Sequence, residues 1–156
     1  MPVSNLAILV KMSGGLLPPN SRAGDVEIYD NGRMLIFESD TDIVERQIDR
    51  NKVMEILQYS RETGFFQLPN IIHDSGASPN VPDVTLSIVD SMGNNTVTMT
   101  SYQRLKGEMR KSPFDLIYKR ITDLAWESYT NGVAPTAEQP VEAPTPQPVQ
   151  NAPAPS

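Results

Sequence analysis

The amino-acid composition changes abruptly at Gly132, and this change limits how much of the chain can form a packed domain. Residues 132–156 hold seven of the 14 prolines, no aromatic residue, no Lys or Arg, and only two charged side chains, Glu138 and Glu142. Such a segment cannot bury enough apolar surface to offset the entropy lost on ordering. The sequence therefore predicts a single domain over residues 1–131, followed by a disordered Pro/Ala-rich tail over residues 132–156.

Charge and cysteine content narrow the function classes that fit the domain. The chain carries 13 basic and 19 acidic residues, a formal net charge of −6. Because a negative surface repels phosphate, neither nucleic acid nor an anionic membrane is an expected partner. Cysteine is absent from the sequence, which excludes disulfides, thiolate metal sites and a cysteine nucleophile. No apolar run is long enough to span a membrane or resembles a signal peptide, so the expected location is the cytoplasm.

Alternation of apolar and polar residues predicts about five strands, most of them paired as hairpins. The five segments are Leu6–Met12, Val26–Tyr29, Met34–Phe37, Val84–Val89 and Thr96–Tyr102. Between the second and third lies Asp30-Asn31-Gly32, a turn sequence whose Asn and Gly tolerate the positive φ angles of a tight hairpin. A second turn is expected over Ser91–Asn95. Residues 38–47 are predicted to be an acidic connector, and residues 70–82 a long loop.

Two helices are predicted from the residues at their ends. Asp49 stands at the N-cap of a helix over Arg50–Thr63, and Gly64 is placed to end it. Ser112-Pro113 supply a cap and a first-turn proline for a second helix, which extends to about Tyr129. The resulting order, β-ββ-α-ββ-α, predicts an α+β domain whose two helices pack on one face of an antiparallel sheet.

The segment from Ile71 to Ser78 has the composition of a single-motif aspartic peptidase. That class places its catalytic Asp after two apolar residues and before Ser/Thr-Gly-Ala, whereas His73 here replaces the second apolar residue before Asp74. His73, Asp74 and Ser75 are also the residue types of a catalytic triad, but sequence neighbours cannot converge on one proton relay. A polar turn-forming loop is the preferred interpretation, and the aspartic peptidase remains a third hypothesis behind two non-enzymatic ones.

Four acidic side chains fall at the first, third, fifth and twelfth positions of a calcium-loop register, namely Glu38, Asp40, Asp42 and Asp49. Ile43 occupies the sixth position, where such a loop needs glycine to turn sharply. A solvated acidic loop is therefore preferred, with calcium binding left open. No phosphate-loop pattern accompanies Gly14-Gly15, so no cofactor is predicted.

The loop after the first strand combines two bulky leucines with a flexible Gly pair and a stiff Pro pair. Leucines exposed to water would form an apolar patch of the kind that marks interaction sites, whereas leucines folded inward would cover one end of the core. The sequence leaves both interpretations open. The candidate partner-binding residues are Ser13, Gly14, Gly15, Leu16, Leu17 and Pro18.

The order of elements and three short motifs resemble the emfourin family, small proteinaceous inhibitors of thermolysin-like metallopeptidases. The motifs are Ser13-Gly14-Gly15 ending the opening strand, Pro82-Asp83 leading a strand, and Pro113 opening a helix, within a similarity that covers roughly Leu6–Tyr129. The chain departs from the family in the Leu-Leu-Pro-Pro sequence that follows its Gly pair and in a longer, helix-bearing middle. The resemblance implies a non-enzymatic inhibitor that occludes the peptidase cleft, with Leu16 or Leu17 filling the pocket for the residue after the scissile bond.

An alternative hypothesis makes the chain a structural or assembly subunit of a protein complex. In this case the domain docks through an edge of its sheet, and the C-terminal tail acts as a tether. Both hypotheses predict a protein partner and no catalysis.

Overall fold

The computed structural model describes residues 4–14, 17–18, 21–73, 81–100 and 112–132. These residues form an α+β domain, as predicted, and the expected tail beyond Gly132 lies outside them. Seven strands are β1 (Leu6–Ser13), β2 (Val26–Tyr29), β3 (Arg33–Phe37), β4 (Ile43–Gln47), β5 (Ile71–His73), β6 (Asp83–Asp90) and β7 (Gly93–Thr100). The helices are α1 (Arg50–Thr63) and α2 (Pro113–Asn131), with a single 3-10 turn over Phe65–Gln67 after α1.

The described strands form one mixed sheet in the order β4-β3-β2-β1-β6-β7-β5. All neighbours are antiparallel except β5 and β7, whose parallel register pairs Ile71 with Thr98 and His73 with Thr100. The sheet therefore has two strands more than the predicted five, and it is antiparallel as predicted except for the pairing of β5 with β7. The two missed strands, β4 and β5, are the edges of the sheet, where a strand pairs on one side only and needs little apolar sequence.

Both missed strands lie in segments that the sequence analysis assigned to loops. β4 occupies the predicted acidic connector, and its Glu45, Arg46 and Gln47 conceal the alternation of a strand. β5 has three residues and stands at the start of the predicted loop over residues 70–82. β4 is as long as β3, so its polar residues rather than its length hide the period, whereas β5 is too short to show one.

The Asp30-Asn31-Gly32 hairpin turn is confirmed. Gly32 has φ +92°, and its N–H donates to the carbonyl of Tyr29 at 2.9 Å. A Cβ at Gly32 would lie 2.2 Å from the carbonyl oxygen of Ile48, so close approach adds to the need for glycine. The second hairpin is tighter than predicted, because Asp90 pairs with Gly93 and leaves Ser91 and Met92 as the turn.

The predicted helix ends are also confirmed. The Asp49 carboxylate accepts the N–H of Asn51 at 2.8 Å, and Gly64 ends α1 in the left-handed conformation at φ +89°. Ser112 caps α2 by accepting the N–H of Asp115 at 3.2 Å, with Pro113 in the first turn. No helix in the described part of the chain is long and apolar enough to cross a membrane.

The apolar core lies between the two helices and one face of the sheet. A row of paired residues crosses four strands on this face, and all four are fully buried: Ile88, Ile8, Ile28 and Met34. Val53 of α1 and Ile117 of α2, also fully buried, belong to the same core cluster. Alternation along the strands thus directs one set of side chains toward the helices, as the sequence predicts.

Polar residues stand at both ends of this apolar row. Asn95, paired with Ile88, donates from Nδ2 to the carbonyls of Phe65 and Leu68, each at 3.0 Å. Arg46, paired with Met34, reaches carbonyls at the end of α2. Each side chain satisfies backbone acceptors where a helical segment ends, so β7 and the edge strand β4 hold the helical segments against the sheet.

Candidate functional site

The predicted partner-binding loop begins where β1 leaves the sheet. Ser13 pairs with Asp83, the first residue of β6, and its side chain is exposed. Gly14 and Pro18 are exposed as well, and Leu17 is half-buried. Gly15 and Leu16 lie outside the described residues, as does Pro19. The described residues of the loop therefore place it neither fully inward nor fully outward, since Leu17 is partly covered while Ser13, Gly14 and Pro18 are exposed.

Two backbone hydrogen bonds fold the loop back on itself. The carbonyl of Gly14, whose φ is +77°, accepts the N–H of Leu17 at 3.1 Å. The carbonyl of Pro18 accepts the N–H of Ser21 at 3.1 Å, and Ser21 is buried. The loop therefore closes as consecutive turns and does not run as an open, extended segment.

Asp25 joins the two ends of the loop. Its side chain is fully buried, and its Oδ1 accepts the backbone N–H of Met12 at 3.0 Å. The other carboxylate oxygen lies 3.5 Å from Lys11 Nζ and 3.5 Å from Arg22 Nε. Since Met12 lies near the end of β1 and Asp25 directly precedes β2, one buried carboxylate fixes the spacing of the two strands that carry the loop.

Arg22 holds the returning limb of the loop against the sheet. Its guanidinium lies 3.9 Å from the ring centroid of Phe37 and pairs with the carboxylate of Glu27. The hydrogen bond to Glu27 is the main cause that raises the pKa of Arg22 above its ordinary value. The backbone N–H of Arg22 also donates to Asp40 Oδ1 at 2.7 Å. A cation over an aromatic ring and two carboxylate contacts make this limb a fixed support.

The segment considered for an aspartic peptidase starts at the same end of the sheet. His73 ends β5 and pairs in the backbone with Thr100, while Asp83 begins β6 beside Ser13. Asp74 and Ser75 lie outside the described residues. The end of the sheet therefore carries the loop over Ser13–Pro18 together with the chain ends next to residues 74–80 and 101–111.

The four acids of the calcium register have separate partners. Glu38 accepts from the hydroxyl of Tyr129, Asp40 from the N–H of Arg22, Asp42 from the hydroxyl of Ser39, and Asp49 from the N–H of Asn51. The register is also interrupted by β4, which begins at Ile43. Across the described ranges, no three His, Cys, Asp or Glu side chains come together in a way that could hold a metal ion.

A second surface, which the sequence analysis did not identify, is an apolar groove between α2 and the end of β3. The groove has a volume of about 400 Å³, and its apolar lining includes Ile36, Phe37, Ala125, Trp126 and Tyr129. Trp126 is 67 % exposed, although it is the largest apolar side chain in the helix. Its ring stacks on that of Tyr129, with centroids 6.0 Å apart and planes 23° apart. The sequence signal for this groove is a tryptophan that falls off the buried stripe of α2, and it does not by itself identify the facing strand.

Glu38 closes one side of this groove, which runs between α2 and β3. The hydroxyl of Tyr129 donates to its carboxylate, and this hydrogen bond raises the pKa of Tyr129 above 10.0. The two surfaces thus differ in chemistry: the loop from Ser13 to Pro18 offers a supported turn, and the groove offers stacked aromatic rings beside a carboxylate.

No protein-family model matches the sequence, and no curated protein matches it either.

Proposed function

We propose that this chain is a non-enzymatic protein-binding domain whose partner-facing surface is the loop from Ser13 to Pro18. The observation that carries the proposal is the support beneath this loop. Asp25 ties its base to Met12, and Arg22 holds its returning limb over Phe37. A loop whose two ends are fixed loses less entropy when a partner binds, so more of the contact energy becomes affinity.

The partner class that fits best is a thermolysin-like metallopeptidase, and the mode of action is occlusion of its cleft. This assignment rests on the resemblance to emfourins and on the apolar residue that such a peptidase accepts after the scissile bond. Because Leu17 is already partly covered by its own chain, Leu16 is the better candidate for that pocket. Pro18 restricts the backbone directly after the leucines and adds stiffness to the loop.

Charge substitutions in the loop test this proposal. Leu16→Asp and Leu17→Asp are compared with the parent chain for urea unfolding and for inhibition of a thermolysin-like peptidase. A partner-facing leucine replaced by Asp abolishes inhibition with little change in the free energy of unfolding, because a carboxylate tolerates water but not an apolar pocket. Met92→Asp is the matched control: Met92 is 81 % exposed in the turn between β6 and β7, and its replacement leaves both properties unchanged.

Two results would contradict the proposal that the leucines of the loop bind a peptidase. If both Leu variants lose several kcal/mol of unfolding free energy, the leucines belong to the core. A parent chain that inhibits no thermolysin-like peptidase would remove the inhibitor assignment and leave only a protein-binding domain of another specificity.

A second candidate function is assembly through a sheet edge, and the exposure of Ile71 favours it. Ile71 lies on edge strand β5, pairs only with β7 among the described strands, and is 58 % exposed. An exposed edge can accept a strand from another chain, although a three-residue edge gives it a short template. Under this hypothesis Ile71→Lys abolishes partner binding and the loop variants do not, which is the reverse of the result expected for the inhibitor.

The aspartic-peptidase hypothesis has a direct test. The purified chain is incubated with a broad peptide library at acid and neutral pH, together with Asp74→Asn. We expect no cleavage by either protein. Cleavage by the parent that disappears in Asp74→Asn would identify a peptidase and end the non-enzymatic proposal.

A further inference from the structure

The groove between α2 and β3 shares Phe37 with the support of the loop, but its aromatic pair on α2 has no part in the proposed function. Its stacked pair, Trp126 and Tyr129, presents flat aromatic faces beside Ile36 and Phe37. Grooves lined by aromatic rings are the surfaces on which proteins bind proline-rich segments in the polyproline II conformation. The groove therefore fits an extended, proline-bearing chain better than a compact ligand.

The chain itself supplies such a segment directly after the groove. α2 ends at Asn131, two residues beyond the groove residue Tyr129, and residues 133–156 follow with seven prolines. Gly132 leaves the helix in an extended conformation (φ −79°, ψ 169°), with its N–H bonded to the carbonyl of Ser128 at 2.8 Å. A Cβ at Gly132 would lie 2.2 Å from that same carbonyl oxygen, so glycine allows the chain to turn away this close to the helix.

We propose that the segment from Val133 to Pro140 folds back along α2 in a polyproline II conformation and lies in the groove, with the ring of Pro135 against Trp126 and Tyr129. The lengths agree. Trp126 lies six residues before Gly132, about 9 Å along a helix that rises about 1.5 Å per residue. Pro135 follows Gly132 by three residues, about 9 Å at the rise of about 3.1 Å per residue in polyproline II. A chain reversing at Gly132 thus brings its first proline level with Trp126.

Charge and entropy favour this occupant. Residues 133–137 carry no charge, so the part of the segment nearest the groove is not repelled by Glu38. The covalent link gives the segment an effective concentration on the order of millimolar, so even a weak docking contact would be populated. Proline has little backbone freedom to lose, which lowers the cost of ordering the chain. The composition of the tail predicts a disordered segment. A segment that lies in a surface groove is ordered instead, and it needs no apolar face that enters the core.

Trp126 is the only tryptophan in the sequence, so its fluorescence reports on the groove alone. The parent chain is compared with a full-length variant in which Pro135 and Pro140 are replaced by Ser. We expect the variant to show red-shifted emission and stronger quenching by acrylamide, with an unchanged circular dichroism spectrum. Equal emission and equal quenching in the two proteins would overturn the proposal.

A second measurement locates the segment directly. Because the sequence lacks cysteine, a single spin label can be placed by Ala137→Cys or, as the matched control, by Ala152→Cys. The label at position 137 is expected to broaden the indole N–H resonance of Trp126 much more than the label at position 152. Equal broadening by the two labels, or none, would overturn the proposal and leave the groove to a proline-rich peptide from another protein.

Discussion

Arg46, on edge strand β4, donates from its Nε to the carbonyl oxygen of Ser128 in the last turns of α2, at 3.0 Å. Its Nη2 donates to the carbonyl of Tyr129 at 3.1 Å. The final carbonyls of a helix carry its negative partial charge, so a guanidinium is a favourable partner for them, even for the carbonyl of Ser128, which also accepts the N–H of Gly132. A strand at the edge of the sheet thereby fixes the end of the helix that carries the groove.

Replacing Arg46 tests this contact. Arg46→Ala removes both hydrogen bonds and is expected to lower the free energy of unfolding by about 2 kcal/mol, the usual cost for bonds made by a charged group. Arg46→Lys retains the charge but not the planar fork, so it should recover only part of the loss. Urea unfolding of the three proteins measures the difference. A change below about 0.5 kcal/mol in Arg46→Ala would show that β4 does not hold α2.

Substitution of Gly64 and of Gly32 distinguishes the cost of a left-handed backbone from the cost of a steric clash. Gly64 and Gly32 have nearly equal positive φ angles, 89° and 92°. A Cβ at Gly64 meets only a side-chain atom at 3.7 Å, whereas a Cβ at Gly32 meets a backbone oxygen at 2.2 Å. We expect Gly64→Ala to cost about 1 kcal/mol from the left-handed conformation alone. Gly32→Ala should cost clearly more, because the hairpin and the backbone at Ile48 must also move. Equal midpoints in urea would contradict this account of the turn.

Asp25 is expected to stabilise both the fold and the loop. Asp25→Ala leaves the N–H of Met12 without its acceptor, at an expected cost of about 2 kcal/mol. Asp25→Asn keeps an oxygen for that N–H and loses only the contacts to Lys11 and Arg22, whose half-exposed side chains water can solvate. Its cost should therefore be smaller. Partner binding should fall in the same order, and an Asn variant that is as unstable as the Ala variant would contradict the role given to Met12.

The contact between Tyr129 and Glu38 predicts a pH dependence. The hydrogen bond to Glu38 raises the pKa of Tyr129 in the folded chain above its ordinary value of 10.0. A raised pKa means that the contact stabilises the fold fully below pH 10, and that this contribution is lost as the pH rises through the raised value. Tyrosine titration by NMR should show the pKa of Tyr129 falling toward 10.0 in Glu38→Gln. Asp42→Asn is the control, and an equal fall there would contradict the assignment to Glu38.

The sequence predicts the parts of the fold that have strong local signals. Asn31-Gly32 between alternating strands, Asp49 and Gly64 at the ends of α1, and Ser112-Pro113 at the start of α2 each specify a conformation through a few neighbouring residues. The structure confirms all of these. The number of strands was underestimated because β4 ends in three successive polar residues, Glu45, Arg46 and Gln47, and because β5 has only three residues and pairs with the distant strand β7.

The candidate surfaces show the same difference between local and distant signals. The loop from Ser13 to Pro18 was identified from its unusual local sequence, whereas its support was not, since Asp25 and Arg22 act through partners that only the fold brings near. The groove was missed because Phe37 and Trp126 lie far apart in sequence and meet only when α2 packs on β3. Exposure of one tryptophan on an amphipathic helix is a weak signal until the facing strand is known.

The central claim, that a supported loop occludes a peptidase cleft, is tested most directly by the kinetics of inhibition. A thermolysin-like metallopeptidase is assayed with a small peptide substrate over a range of concentrations of the unmodified full chain. Occlusion of the cleft predicts an apparent KM that rises with the concentration of the chain, an unchanged kcat, and a chain that remains uncleaved. An unchanged KM at a large molar excess of the chain, or a fall in kcat alone, would contradict the claim.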